Sequence, residues 1–127
     1  MDGLKRFAPI FPVRDLGVAL AYYRLLGFRT REYQSGEYGF AVLGDVELHL
    51  GVAPQHTTPA SAYLFVDDAA VLADRWLSAG ADVRAPEDTE WGQHEGVVID
   101  PDGNIIRFGS PVAHRRPESD SPGAGTA

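Results

Sequence analysis

No cysteine occurs in the 127 residues. That one absence removes disulfides, thiolate nucleophiles and Cys-ligated zinc or iron–sulfur centres. Long apolar runs are missing too. No stretch approaches the ~18–20 residues of a membrane span, and the N-terminus has no signal-peptide hydrophobic core. A cytoplasmic protein with no membrane partner is the expectation. Positive charge is scarce, with 11 Lys and Arg against 18 Asp and Glu and a formal net charge of -7. A nucleic-acid partner is therefore disfavoured, because phosphate binding needs clustered cations. The acidity suits a cationic ligand somewhat better, although acidity usually serves solubility alone. There is no nucleophile elbow with Ser/His/Asp partners, no phosphate-cradling glycine loop and no zinc spacing.

What is present suits a sizeable core, with 44% hydrophobic residues in a chain of single-domain length. Residues 7–13 read as a strand. Pro9 and Pro12 cannot donate to a ladder, so this strand belongs at a sheet edge or leaves its own module. Asp15 is an N-cap, Leu16, Ala19, Leu20, Tyr23 and Leu26 recur at helical spacing, and Gly27 is the natural C′ residue. Strands follow at 28–34, 38–43 and 46–50, the last two forming a hairpin about Gly44-Asp45, and 53–60 is a linker.

The pattern then restarts. Residues 63–66 are a strand, Asp68 caps a helix with Val71, Leu72, Trp76 and Leu77 on its apolar face, and Gly80 ends it. Residues 81–84 form a short strand, and a loop rich in proline and acids leads into a hairpin. That hairpin runs from Glu90 to Phe108, turning at Asp100-Pro101-Asp102-Gly103. The chain is thus predicted to be α+β, with two βαβββ modules at about 5–52 and 61–110 inside a single domain, 1–112. The tail, 113–127, is expected to be disordered.

Few residues suggest chemistry. Glu47 and His49, two apart on a strand, share a face, while the adjacent His94 and Glu95 point to opposite faces. A metal relocated to Glu47, His49 and His94 is one possibility; a polar, non-ligating His49 is the other. His56 and His114 fall in a loop and in the tail, where surface roles are expected. Nothing singles out a carboxylate pair for acid–base work.

The paired modules, Val13-Arg14-Asp15-Leu16 leading to Tyr22-Tyr23-Arg24-Leu25-Leu26-Gly27-Phe28, and Asp100-Pro101-Asp102-Gly103-Asn104 resemble the vicinal oxygen chelate superfamily. That superfamily contains glyoxalase I, fosfomycin-resistance enzymes, extradiol dioxygenases and bleomycin-binding resistance proteins, so fold alone does not name a chemistry. The resemblance places the metal-ligand positions of its enzymes at Ala8, Ala62 and Arg107. Alanine cannot ligate, and a guanidinium has no acceptor, so no metal and no cofactor are expected.

Glu90-Trp91-Gly92 and the proline in the first strand resemble the bleomycin-binding branch in particular. The resemblance implies a non-enzymatic, strand-exchanged homodimer that sequesters bleomycin-like or other planar cationic antibiotics in crevices between subunits. It implies stacking by Tyr38, Phe40 and Trp91, with Gly92, Glu32, Glu90 and Arg107 also at the crevice. Glu37, Glu87 and Asp88 lie in segments that would rim it. Two readings remain beside this one: an enzyme using the relocated metal, and a binder of an unrelated small metabolite.

Overall fold

The computed structural model describes residues 2–54 and 57–112, so the expected disordered tail, His56 and His114 lie outside the described residues. The described residues cluster into two compact units: 2–61 with Asp100–Ile105, and Ala62–Ile99 with 106–112.

In the first unit the elements are β1 (Ile10–Val13), α1 (Leu16–Leu25), β2 (Arg29–Glu32), β3 (Tyr38–Leu43) and β4 (Val46–Val52), with sheet order β1-β4-β3-β2. The helix forms where local chemistry dictates. Asp15 accepts the Val18 amide at 2.9 Å, and Leu16, Ala19, Leu20 and Tyr23 are buried. Gly27, at φ +103°, ends the helix in the left-handed conformation that a side chain disfavours. Phe11, Ala41, Leu48 and Leu50 supply buried residues from the sheet.

The strand expected from Phe7 starts only at Ile10. Its parallel pairing with β4 of the same chain begins at Ile10↔His49, with the Pro9 carbonyl accepting the His49 amide at 2.9 Å just ahead of it. Leu4 and Phe7 are correspondingly exposed. Pro12 is tolerated because β1 is an edge strand. Similarly, β2 is shorter than expected, and β4 runs two residues further, to Val52.

The second unit repeats this order: β5 (Ser61–Phe65), α2 (Ala69–Ser78), β6 (Asp82–Asp88), β7 (Gln93–Ile99) and β8 (Ile105–Pro111), arranged β5-β8-β7-β6. Asp68 caps α2 by accepting the Val71 amide at 3.1 Å, and Gly80, at φ +96°, closes it. Trp76 is buried edge-on against Phe108, ring centroids 5.1 Å apart.

Two expectations need correction here. Val71 and Leu77 are about half exposed, because Ala69, Ala73 and Trp76 define the packed stripe. The Pro- and acid-rich loop is strand: β6 continues through Pro86 to Asp88, with the register shifting between Arg84 and Glu87. An edge strand with such an irregularity accommodates a proline that a central strand excludes.

Candidate functional site

Strand alternation sorts the first sheet's residues. Phe11, Val13, Ala41, Leu48 and Leu50 are buried. Their neighbours Tyr38, Phe40, Val42, Glu47 and His49 share the opposite face, with Phe40 directly across from His49 and Val42 from Glu47. The rings pack edge to face, Phe40 to His49 at 4.8 Å and Tyr38 to Phe40 at 5.6 Å. An open groove of about 830 Å³ lies along this face, lined by Ile10, Tyr33, Tyr38, Phe40 and Val52, with Glu37 at its side. The volume and mainly apolar walls suit a drug-sized organic molecule.

A polar chain crosses the same face. The Tyr38 hydroxyl is 2.8 Å from His49 Nδ1, His49 Nε2 is 2.7 Å from Glu47 Oε2, and Arg6 Nε donates to Glu47 Oε1 at 3.0 Å. A neutral imidazole satisfies both contacts, with Nε2–H donating to the carboxylate and Nδ1 accepting from the phenol. The hydrogen bond from His49, followed by that from Arg6, holds the Glu47 carboxyl below its ordinary value of 4.5.

The contribution of these bonds to stability is present above the ordinary carboxylate value and is lost as pH falls through Glu47's own lower value. His49→Ala should move the Glu47 titration upward, as followed by carboxyl-carbon NMR; an unmoved titration would refute the pairing.

Both His49 nitrogens are engaged, Glu47 has two partners, and His94 Nδ1 lies 2.8 Å from Asp88. Among the described residues no group of three His, Asp or Glu side chains is disposed to hold a metal ion.

In the second unit, Trp91 sits in the turn between β6 and β7 and is 68% exposed. Gly92, at φ +89°, donates its amide to the Thr89 carbonyl at 3.2 Å, and its own carbonyl accepts from Val112. This turn projects the indole while leaving Glu90 exposed beside it. Arg107 lies 3.8 Å from Glu95 Oε2, a loose pair half exposed on the arginine side. Burial pushes the Tyr63 phenol up, and its hydrogen bond to Glu95 acts in the same direction. Gln93 Oε1 and Glu95 Oε1 are buried acceptors without a donor among the described residues.

Several expected placements change. Glu32 pairs with Gly39, whose missing Cβ would touch Leu20 and Leu16 of α1, so Glu32 lies on the helix side, away from Phe40. In β5, Ser61, Tyr63 and Phe65 are exposed and alternate with Ala62 and Leu64 on the other face. Within the first unit Tyr38 and Phe40 come together as expected. Ile10, Tyr33 and Val52, which join them, were not singled out by sequence. The pairing of β3 with β4 offered a signal for Val52 through its strand. Tyr33 lies beyond the end of β2 and offered none.

Comparison with known proteins agrees with this architecture. A family profile described as the Glyoxalase/Bleomycin resistance protein/Dioxygenase superfamily matches residues 3–108. The chain is 29% identical over 111 residues to a "Bleomycin resistance protein" of Klebsiella pneumoniae, covering 79% of this chain and 87% of that one. The bleomycin resistance determinant encoded on the transposon Tn5 superposes with a TM-score of 0.76 at 25% identity, covering 85% of this chain and 98% of that one. A bleomycin-binding protein solved in complex with bleomycin superposes at 0.73, also at 25% identity, covering 84% and 98%. No helix among the described residues is long and apolar enough to cross a membrane. With the profile spanning nearly all of the two-unit fold, the chain belongs to the glyoxalase/bleomycin resistance protein/dioxygenase superfamily.

Proposed function

We propose that this protein is a binding protein that sequesters a planar antibiotic of the bleomycin type and confers resistance without chemically altering the drug. The observation that carries this reading is the apolar groove on the first sheet, where Tyr33, Tyr38 and Phe40 present ring surface beside Ile10 and Val52. Flat heteroaromatic rings gain roughly 0.5–1.5 kcal/mol per stacked pair beyond area burial. Sequestration needs only affinity, so it tolerates arginine and alanine where a metalloenzyme needs ligands. The exposed Trp91 supplies a further stacking surface, and Glu37 and Glu90 favour a cationic tail, mostly through association rate. The homodimer belongs to the same proposal, with the exposed Leu4 and Phe7 segment available for exchange between subunits.

Calorimetry tests it directly. Metal-free bleomycin should bind with a stoichiometry of about one drug per chain, hence about two per dimer, with a negative heat-capacity change from apolar burial. No heat and no spectroscopic change at high micromolar drug would reject the drug class.

A second reading has one observation in its favour, the Tyr38–His49–Glu47 hydrogen-bonded chain, which has the form of a proton relay. It predicts stoichiometric divalent metal in gently purified protein and activity that disappears in His49→Ala. Elemental analysis separates the two readings.

A further inference from the structure

The chain carries a net charge of -7, yet one part of the first sheet's open face is cationic. Arg29 and Arg31 lie on β2 directly across from Val42 and Phe40, placing both guanidinium-bearing residues on the aromatic face. With Arg6 they line a second groove of about 600 Å³, in which Glu47 is the acidic residue. Glu47 is already engaged by Arg6 and His49. Among the described residues neither Arg29 nor Arg31 has a carboxylate within ion-pair distance, although the chain contains 18 acidic residues.

Arg31 is not idle. Its guanidinium carbon stands 4.4 Å from the centroid of the Phe40 ring. A guanidinium held over a ring face keeps N–H donors available for charge-assisted pairing with a carboxylate, sulfonate or phosphate. Phe40 lines both grooves, so the cationic groove and the aromatic groove share a wall.

We propose that Arg29 and Arg31, with Arg6, form an anion subsite continuous with the aromatic groove, so that the protein also takes planar aromatics carrying an acidic group. The placement of the ring rests on the aromatic groove proposed above; the charge preference does not. This goes beyond a cationic drug, for which the acidic residues would suffice.

Fluorescence titration with two dyes of similar shape tests it. Anilinonaphthalene sulfonate carries the acidic group and N-phenylnaphthylamine lacks it. The native chain should prefer the sulfonate. The double variant Arg29→Gln/Arg31→Gln should bind it about tenfold more weakly, as expected for lost charge-assisted hydrogen bonds, with the neutral dye unchanged. Inorganic sulfate should compete with the sulfonate and not with the neutral dye. Arg75→Gln, an exposed arginine on α2, should change neither dye.

Sulfonate affinity that survives the double substitution would overturn the subsite, leaving Arg29 and Arg31 as charges protecting an edge strand from aggregation. The subsite is equally overturned if Arg75→Gln weakens sulfonate binding as much as the double variant does. Arg-dependent sulfonate binding without neutral-dye binding upholds the anion subsite and overturns the aromatic groove; neutral-dye binding with Arg-independent sulfonate binding does the reverse.

Discussion

Asp100→Asn should lower the free energy of unfolding by about 3 kcal/mol, the combined effect of weakening hydrogen bonds to a buried carboxylate and setting two donors against each other. The Asp100 carboxylate is 5% exposed and fully used. Its Oδ1 accepts the amides of Asp102 and Asn104, each at 2.9 Å. Its Oδ2 accepts the Tyr23 hydroxyl at 2.8 Å and the Asn104 side-chain amide at 2.9 Å. Replacing Oδ2 by NH₂ leaves the Tyr23 hydroxyl free to rotate and accept. The Asn104 amide has no such freedom. Its nitrogen also donates to the Pro12 carbonyl at 2.8 Å, and its oxygen accepts the Ala60 amide at 2.8 Å.

The Tyr23 phenol agrees with this picture. Burial first, and the Asp100 charge next, push it far above the ordinary tyrosine range, so it remains a donor throughout the physiological range. Urea denaturation should show a lower midpoint with an unchanged slope. A loss below about 1 kcal/mol, the size of one ordinary net hydrogen bond, would mean the network is not organised around Asp100.

Trp91→Ala should act on a different quantity. Binding of a bleomycin-type ligand is expected to weaken by roughly 2 kcal/mol, about thirtyfold, as for an aromatic anchor in an interface. Thermal stability should hardly move, because the ring is 68% exposed and its turn is held by backbone bonds from Gly92 and Val112. Trp76 is the internal contrast: at 1% exposure and packed on Phe108, it belongs to the core. Calorimetry and a melting curve on the same preparation decide the case. Full-strength binding by the variant would remove Trp91 from the site, and a large fall in melting temperature would make it a packing residue.

The contrast between the two tryptophans was legible from sequence, because one stood on an apolar helical stripe and the other beside a glycine among acids. Tyr38 was singled out through the family resemblance, and Phe40 because it lies two residues on, on the same strand face. Glu32 was misplaced for a related reason. Alternation tells which residues share a face, but the partner strand decides which face carries the helix, and Glu32 pairs with Gly39 under α1. Pro86 and the acids around it looked like a loop because proline interrupts a ladder; position at a sheet edge with a register shift removes that objection. The guanidinium of Arg31 over Phe40 was invisible, since it depends on β2 pairing with β3 in one register.

The division follows the range of the interactions. By itself the sequence determined both helices with their ends, the doubled βαβββ order and the resemblance to the superfamily, because capping, left-handed glycine and apolar periodicity act within a few residues. Tertiary structure alone decided what Asp100 and Asn104 hold together, which side chains line the two grooves, and that Glu47 and His49 bond to each other. Those outcomes depend on strand register and on contacts between residues as far apart as Pro12 and Asn104, which are set only when the sheet closes and its unpaired polar groups find partners.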